Sequence, residues 1–198
     1  MMFMDDDDLP LAHHAARLVV EEGLEYAEAK RKAARQLTGG GRGRRAELPS
    51  DDVLEDAVRE YLAIFAADTQ PGELRALREL AQRWMQRVSE FRPHLGGAVW
   101  RGTATRLSSL RIDLYCDEPK MVEIAFLNQG WDFDSRGGER EGPFVLTLAA
   151  PCRALGESVT LHFIVHDADA VRGALQPDAR GQSWRGDLPA LNRLLAST

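Results

Sequence analysis

The sequence predicts an α/β or α+β protein, with a helical N-terminal half followed by a small mixed sheet of about four or five strands flanked by helices. Apolar residues recur at helical spacing as far as Phe91. From Gly97 onward they alternate with polar residues, which is the period of a strand. Breaks rich in glycine or proline separate the segments, so the change of period marks a change of architecture.

Four segments of the N-terminal half have the periodicity of helices. Leu11–Glu22 and Leu24–Leu37 form a first predicted pair. Ser50 is a suitable N-cap for the third helix, which follows it directly. Glu73–Phe91 is the clearest helix, because its apolar side chains keep helical spacing over about five turns.

The C-terminal half alternates between short strands and short helices. In Leu110–Cys116 the leucines and the isoleucine fall on one face, whereas Arg111, Asp113 and Tyr115 fall on the other. Strands are predicted at Ala98–Arg101, Leu110–Cys116, Trp131–Asp134, Phe144–Ala149 and Val159–Val165, and helices at Glu118–Asn128, Asp167–Leu175 and Leu188–Leu195.

Three regions follow from the breaks. Residues 1–38 form a helical pair with an acidic tip at Asp5–Asp8, and residues 39–49 form a flexible Gly/Arg linker. Residues 50–198 contain the remaining helices and the α/β domain. The linker is predicted because Thr38–Arg45 (TGGGRGRR) contains consecutive glycines, which a helix does not tolerate.

Composition restricts the classes of protein to be considered. The net charge of −6 disfavours attraction of the whole chain to nucleic acid, although a local basic surface is compatible with it. No apolar run approaches the roughly 20 residues of a membrane-spanning helix, and the acidic N-terminus does not resemble a secretory signal. Cys116 and Cys152 have no CxxC partner and do not suggest a disulfide framework. We therefore expect a cytoplasmic protein with no membrane association.

The segment with the clearest chemical content is Gly102–Leu114. It contains a Gly-Thr turn, and a strand a few residues later carries Asp113 before a hydrophobic residue. This pattern resembles the signature of polymerase-beta-like nucleotidyltransferases. The resemblance implies that Gly102, Thr103 and Thr105 hold nucleotide phosphates through backbone N–H and hydroxyl groups, with Arg111 beside them. It also implies that Asp113 is a catalytic, metal-binding acid, with Mg²⁺ as the cofactor where the chemistry is retained.

The sequence departs from this signature at the other acids. Arg111 stands where the first acid is expected, and on the strand for the third acid the corresponding residue is Thr160 or His162. Asp132 or Asp134 could supply a metal ligand only if the order of strands brings it beside Asp113. An arginine next to Asp113 favours an ion pair over a metal site, so two-metal chemistry is predicted to be lost.

A second resemblance covers most of the chain. The segments Ala29–Leu37 (AKRKAARQL), Phe91–Thr105 (FRPHLGGAVWRGTAT) and Phe126–Asp132 (FLNQGWD) are similar to those of small uncharacterised bacterial proteins assigned to the nucleotidyltransferase superfamily. This resemblance implies the fold rather than a particular reaction.

Three functions are compatible with these features. The first is a degenerate nucleotidyltransferase-fold protein that binds a nucleotide or RNA. The second is an active metal-dependent nucleotidyltransferase that uses Asp113 with a second acid. The third is a protein-interaction module whose N-terminal helices contact a partner.

Two further features bear on function. The basic residues that could contact RNA are Lys30, Arg31, Arg42, Arg44 and Arg45, although runs of charge are more often solvated surfaces. His166 follows a predicted strand, in a position where active-site residues often lie, but the sequence identifies no partner for it.

Overall fold

The computed structural model describes residues 8–37, 48–138, 142–178 and 180–197. They fall into two compact units, Met1–Pro71 and Gly72–Thr198. Among the described residues, no helix combines the length and the apolar character that crossing a membrane would need.

The described residues of the first unit form helices α1 (Asp8–Glu22), α2 (Tyr26–Leu37) and α3 (Asp51–Phe65). Ser50 caps α3 as the sequence predicts, because its hydroxyl accepts a hydrogen bond from the backbone N–H of Val53 at 3.3 Å.

Helix α3 belongs to this unit, whereas the boundary drawn from the sequence at residue 50 groups it with the α/β domain. Leu54 and Val58 of α3 are fully buried in one core with Ala15 and Leu18 of α1. An amphipathic helix buries its apolar stripe against whichever surface complements it, and here α1 provides that surface. The predicted linker lies outside the described residues as far as position 47.

The second unit contains a sheet and helices that pack against it. In the described residues its strands are β1 (His94–Gly96), β2 (Leu110–Tyr115), β3 (Asp134–Gly138), β4 (Gly142–Cys152), β5 (Glu157–His166) and β6 (Arg185–Asp187). Its helices are α4 (Gln70–Arg87), whose first two residues precede the boundary, α5 (Gly97–Arg101), α6 (Pro119–Asn128) and α7 (Leu188–Ala196).

The sheet is mixed, with the strand order β3-β4-β5-β2-β1-β6. Strands β2 and β5 are parallel, and the other neighbouring pairs are antiparallel. Asp113 is paired with Ile164 of β5 on one side and with His94 of β1 on the other. Strand β2 therefore has neighbours on both sides and is an interior strand of the sheet.

One face of the sheet packs against the helices. Leu110, Ile112 and Leu114 of β2 join the apolar residues of β4 and β5 in one buried cluster, which also contains side chains from α4, α6 and α7. The ring of Phe126 on α6 meets three other rings of the second unit edge-on. These rings are Trp131, Phe133 and Phe163, with centroids 4.9, 5.6 and 5.0 Å away.

Several predicted elements are confirmed. The strands predicted at Phe144–Ala149 and Val159–Val165 lie within β4 and β5, and β2 ends one residue before the predicted strand does. The last two of the four N-terminal helices correspond to α3 and α4, and the helices predicted around Glu118–Asn128 and Leu188–Leu195 correspond to α6 and α7.

One predicted strand is wrong: Ala98–Arg101 lies in helix α5. Gly102 ends this helix with a φ of 86°, a left-handed conformation that glycine adopts without strain. The guanidinium of Arg78 donates to the carbonyls of Val99 and Trp100 at 3.1 and 3.2 Å. These bonds satisfy carbonyl groups that a short helix leaves unpaired at its end.

Other elements differ in their bounds. The strand predicted at Trp131–Asp134 begins only at Asp134, because Trp131 and Phe133 pack against the buried cluster instead. The helix predicted at Asp167–Leu175 is a 3-10 turn, Ala168–Gly173. Neither β1 nor β6 is predictable from the sequence, since each has only 3 residues and cannot show an alternating pattern.

Candidate functional site

The polar side chains of β2 share one face of the sheet, as the alternating pattern predicts. Arg111, Asp113 and Tyr115 alternate with the residues that enter the buried cluster, so they lie on the opposite face. In the parallel pairing, Arg111 lies opposite His162, and Tyr115 lies opposite His166. Paired residues of neighbouring strands share a face, so these side chains collect at the middle of the sheet.

Asp113 is at the centre of this group and is fully buried. Nε2 of His166 lies 2.7 Å from its Oδ1, and Nε of Arg185 donates to its Oδ2 at 2.6 Å. Nη2 of Arg111 lies 3.5 Å from Oδ1. We refer to Asp113, Arg111, Arg185 and His166 as the Asp113 cluster.

Opposing effects set the pKa of the Asp113 carboxyl. Burial raises this pKa, because it disfavours the charged form. The hydrogen bond with His166 and the charges of Arg111 and Arg185 lower it and outweigh the burial. The pKa therefore lies below its ordinary value, and Asp113 is an ionised carboxylate at neutral pH that only accepts hydrogen bonds.

Gly96 provides the space in which Arg185 reaches Asp113. Strand β1 separates β2 from β6, and Gly96 is paired with Arg111 on one side and with Arg185 on the other. A Cβ at this position would lie 3.4 Å from Oδ2 of Asp113 and 3.6 Å from Cγ of Arg185. A larger side chain at position 96 would therefore compete with the Arg185 side chain for this space.

The segment that carries Arg185 is held by α5. The Arg101 guanidinium lies 3.5 Å from the ring centroid of Trp184, and its Nη1 lies 4.0 Å from Oδ2 of Asp178. The indole N–H of Trp100 donates to the carbonyl of Ser183 at 2.8 Å. These contacts fix the backbone on the N-terminal side of Arg185.

Aromatic contacts fix the ring of His166. Tyr115 is stacked on it with a centroid distance of 5.5 Å, and His94 meets Tyr115 edge-on at 5.1 Å. Nδ1 of His94 lies 2.8 Å from the carbonyl of Arg92, so that ring is held as well. The imidazole of His166 is thus positioned by the hydrogen bond to Asp113 at its edge and by the Tyr115 ring stacked on one face.

The Asp113 cluster presents two guanidinium groups and one imidazole around a single carboxylate. No protein-family model and no curated protein matches this chain. Membership of the nucleotidyltransferase superfamily therefore stays a prediction from the sequence resemblance.

The turn predicted to hold phosphates is satisfied within itself. The backbone N–H groups of Gly102 and Thr103 both donate to the carbonyl of Ala98 at 2.9 Å, and that of Thr105 donates to Oγ of Ser108 at 3.0 Å. The side chains of Thr103 and Thr105 are buried. These groups are therefore not directed at a ligand, and of the predicted phosphate-binding residues Arg111 alone is exposed, with half of its side chain accessible.

The predicted acids do not come together. Asp134 is on β3, and β4 and β5 lie between it and β2, a separation of about 14 Å at the usual strand spacing. Asp132 precedes β3 and is exposed. Within the described residues, no group of three or more His, Cys, Asp or Glu side chains is placed to hold a metal ion. The arginines around Asp113 also oppose a dication, so these residues do not fit Mg²⁺.

Of the predicted nucleic-acid contacts, the structure describes two. Nζ of Lys30 donates to the Asp51 carboxylate at 2.7 Å and to the carbonyl of Pro49 at 3.0 Å, so its charge is engaged within the first unit. Arg31 is exposed on α2. The others, Arg42, Arg44 and Arg45, lie outside the described residues, and contact of this basic arm with RNA stays a prediction.

The first unit exposes apolar side chains along its helices. Leu37, Ile64 and Phe65 are 53, 65 and 67% exposed and line a groove with His13 and His14. Contact of the helical unit with a protein partner stays a prediction.

Sequence reasoning missed Arg185 and the role of His166. His166 is 53 residues from Asp113 in the chain, and Arg185 is 72 residues away. The position of His166 after a strand was a signal, but its partner depends on the pairing of β2 with β5. Arg185 gave no signal, because its strand is too short for a recognisable pattern.

Proposed function

We propose that the Asp113 cluster binds the phosphate groups of a nucleotide, without the two-metal chemistry of active nucleotidyltransferases. Arg111 and Arg185 act as the anion-binding groups. Asp113 is a positioning residue that holds Arg185 and His166 in place.

This proposal rests on the arrangement of charges around Asp113. The carboxylate is fully buried, yet the side chains of Arg111 and Arg185 are 50 and 30% exposed. Within the part of the chain that the structure describes, Arg185 contacts Asp113 through Nε, and its terminal nitrogens can face a ligand. A planar guanidinium matches the oxygens of a phosphate group, and two such groups exceed the single negative charge of Asp113.

The choice of a nucleotide over other phosphate esters comes from the sequence resemblance of Gly102–Leu114. In that resemblance Arg111 and Asp113 stand where the family has its paired acids, and in the structure these two side chains share one face of β2. The metal is replaced in this scheme by guanidinium charge. Binding is therefore expected to persist when divalent cations are removed.

Thermal-shift titration with nucleoside triphosphates tests this function, in EDTA and in Mg²⁺. All four tryptophans lie in Gly72–Thr198, so their fluorescence reports on the second unit alone. A ligand at about 100 times its Kd should stabilise the protein by about 2.7 kcal/mol. Two further titrations, with short RNA and with inorganic phosphate, show whether the site prefers a nucleotide over RNA or over a free phosphate ion.

Arg111→Ala is the informative variant. Loss of a charged hydrogen bond of about 1.5–3 kcal/mol should raise the Kd roughly 10- to 150-fold. Arg136→Ala is the matched control, because Arg136 is exposed on β3, beyond β4 and β5. A flat response to every nucleotide would refute the proposal, and a response that needs Mg²⁺ would favour the metal-dependent enzyme instead.

A further inference from the structure

The two nitrogens of the His166 ring have different surroundings. Nε2 lies 2.7 Å from Oδ1 of Asp113, and this buried, ionised carboxylate can only accept a hydrogen bond. Nε2 therefore carries a proton, and in the neutral ring Nδ1 carries the lone pair. In the described part of the chain, Nδ1 of His166 has no hydrogen-bond partner, and the side chain is 26% exposed.

The neighbouring histidines differ from His166 at Nδ1. Nδ1 of His162 is hydrogen-bonded to the hydroxyl of Thr147 at 3.0 Å. Nδ1 of His94 is bonded to the carbonyl of Arg92, and His94 is only 6% exposed. His166 therefore combines two properties, a carboxylate at Nε2 and an accessible lone pair at Nδ1.

Carboxylate pairing of this kind activates an imidazole. The carboxylate fixes the tautomer and the direction of the ring, and it stabilises the positive charge that develops when the other nitrogen forms a bond. Arg111 and Nε2 of His166 contact the same carboxylate oxygen, so an anion bound by Arg111 lies on the same face of the sheet as the imidazole. Guanidinium groups also stabilise the charge of a transferring phosphoryl group.

We propose that Nδ1 of His166 accepts the terminal phosphoryl group of a nucleoside triphosphate bound at the Asp113 cluster; this rests on the proposed function. A bond forms between Nδ1 and the γ-phosphorus, and the bond from that phosphorus to the bridging oxygen breaks. The nucleoside diphosphate leaves with the bonding electron pair. Nε2 keeps its proton, and Asp113 balances the positive ring.

Water completes the cycle. Its oxygen attacks the phosphorus, the N–P bond breaks, and the electron pair returns to Nδ1. Inorganic phosphate leaves and the water's protons pass to solvent and phosphate, which restores His166. No oxidant or reductant is needed.

The test is covalent labelling of the full chain with triphosphate carrying ³²P at the γ-position. The expected label is stable in alkali and lost in acid, as for a phosphoramidate. Tandem mass spectrometry of the labelled wild-type protein should place it on His166. His166→Gln should lose the label, whereas the control His162→Gln on the same strand should keep it. Tryptophan fluorescence verifies that each variant is folded.

The outcomes distinguish failure of the phosphoryl transfer from failure of the proposed nucleotide binding. Nucleotide stabilisation without any label overturns the phosphoryl transfer and leaves nucleotide binding intact. Label on another residue, or label that persists in His166→Gln, also overturns it. Absence of stabilisation by any nucleotide overturns the proposed function and this inference together. If His166→Gln does not fold, the mass spectrum of the wild-type chain decides.

Discussion

Asp113→Asn tests whether the ion pairs of the Asp113 cluster stabilise the second unit. The substitution keeps the volume of the buried side chain but removes its charge. Each hydrogen bond to a charged group contributes about 1.5–3 kcal/mol, and Asp113 makes one with Arg185 and one with His166. These partners are 30 and 26% exposed, so water replaces part of what is lost. We expect a loss of about 2–3 kcal/mol at pH 7.

The pH dependence gives the sharper measurement. The pKa of Asp113 is lower in the folded state than in the unfolded chain, where it is about 3.9. Its contribution to stability is therefore fully present above that value and is lost as the pH falls through the folded-state pKa. Asparagine does not titrate in this range. The difference between wild type and Asp113→Asn should shrink below about pH 4.

Urea unfolding followed by tryptophan fluorescence, repeated at several pH values, measures this difference for the second unit. Asp134→Asn is the matched control, since Asp134 is an exposed aspartate on β3. It should change stability by less than about 0.5 kcal/mol. A difference for Asp113→Asn below that limit at pH 7, or one that stays constant down to about pH 3, would contradict the role assigned to the ion pairs.

Two further substitutions test the packing, and the same urea experiment measures both. Gly186→Ala should destabilise the second unit by about 1–3 kcal/mol or more, because its Cβ would lie 2.1 Å from the Trp100 ring. Gly72→Ala, whose Cβ would meet nothing within 4 Å, should cost nothing or stabilise slightly. Phe126→Ala should cost about 3–5 kcal/mol, whereas exposed Leu127→Ala should stay within about 0.5 kcal/mol. If Gly186→Ala unfolded at the same urea concentration as Gly72→Ala, the close contact of Gly186 with Trp100 would be contradicted. The same result for Phe126→Ala and Leu127→Ala would contradict the burial of Phe126.

The sequence alone was sufficient for features that depend on local spacing. The alternation in Leu110–Cys116 correctly separated the buried face from the face with Arg111 and Asp113. The cap at Ser50 was also predictable, because it needs only the residues next to it. The spacing of Arg111 and Asp113 on one strand favoured an ion pair over a metal site but left their contact open, and in the structure the two side chains lie 3.5 Å apart.

Helix α5 shows where local spacing was insufficient. The apolar residues of Ala98–Arg101 suit a strand as well as a helix over so short a length. The helix is stabilised from elsewhere in the chain, since Arg78, 21 residues before Val99, donates to the carbonyls at its end.

The tertiary structure decided the composition of the site. His166 and Arg185 reach Asp113 only because β5 pairs with β2 and because β6 joins the sheet beyond β1. Strand order is set by packing and hydrogen bonding between segments that are distant in the chain. The periodic pattern within one strand does not show which other strand is its neighbour. The same order separates Asp134 from Asp113. Sequence spacing thus determined which face Asp113 is on, and the fold determined that arginine and histidine, rather than further acids, surround it there.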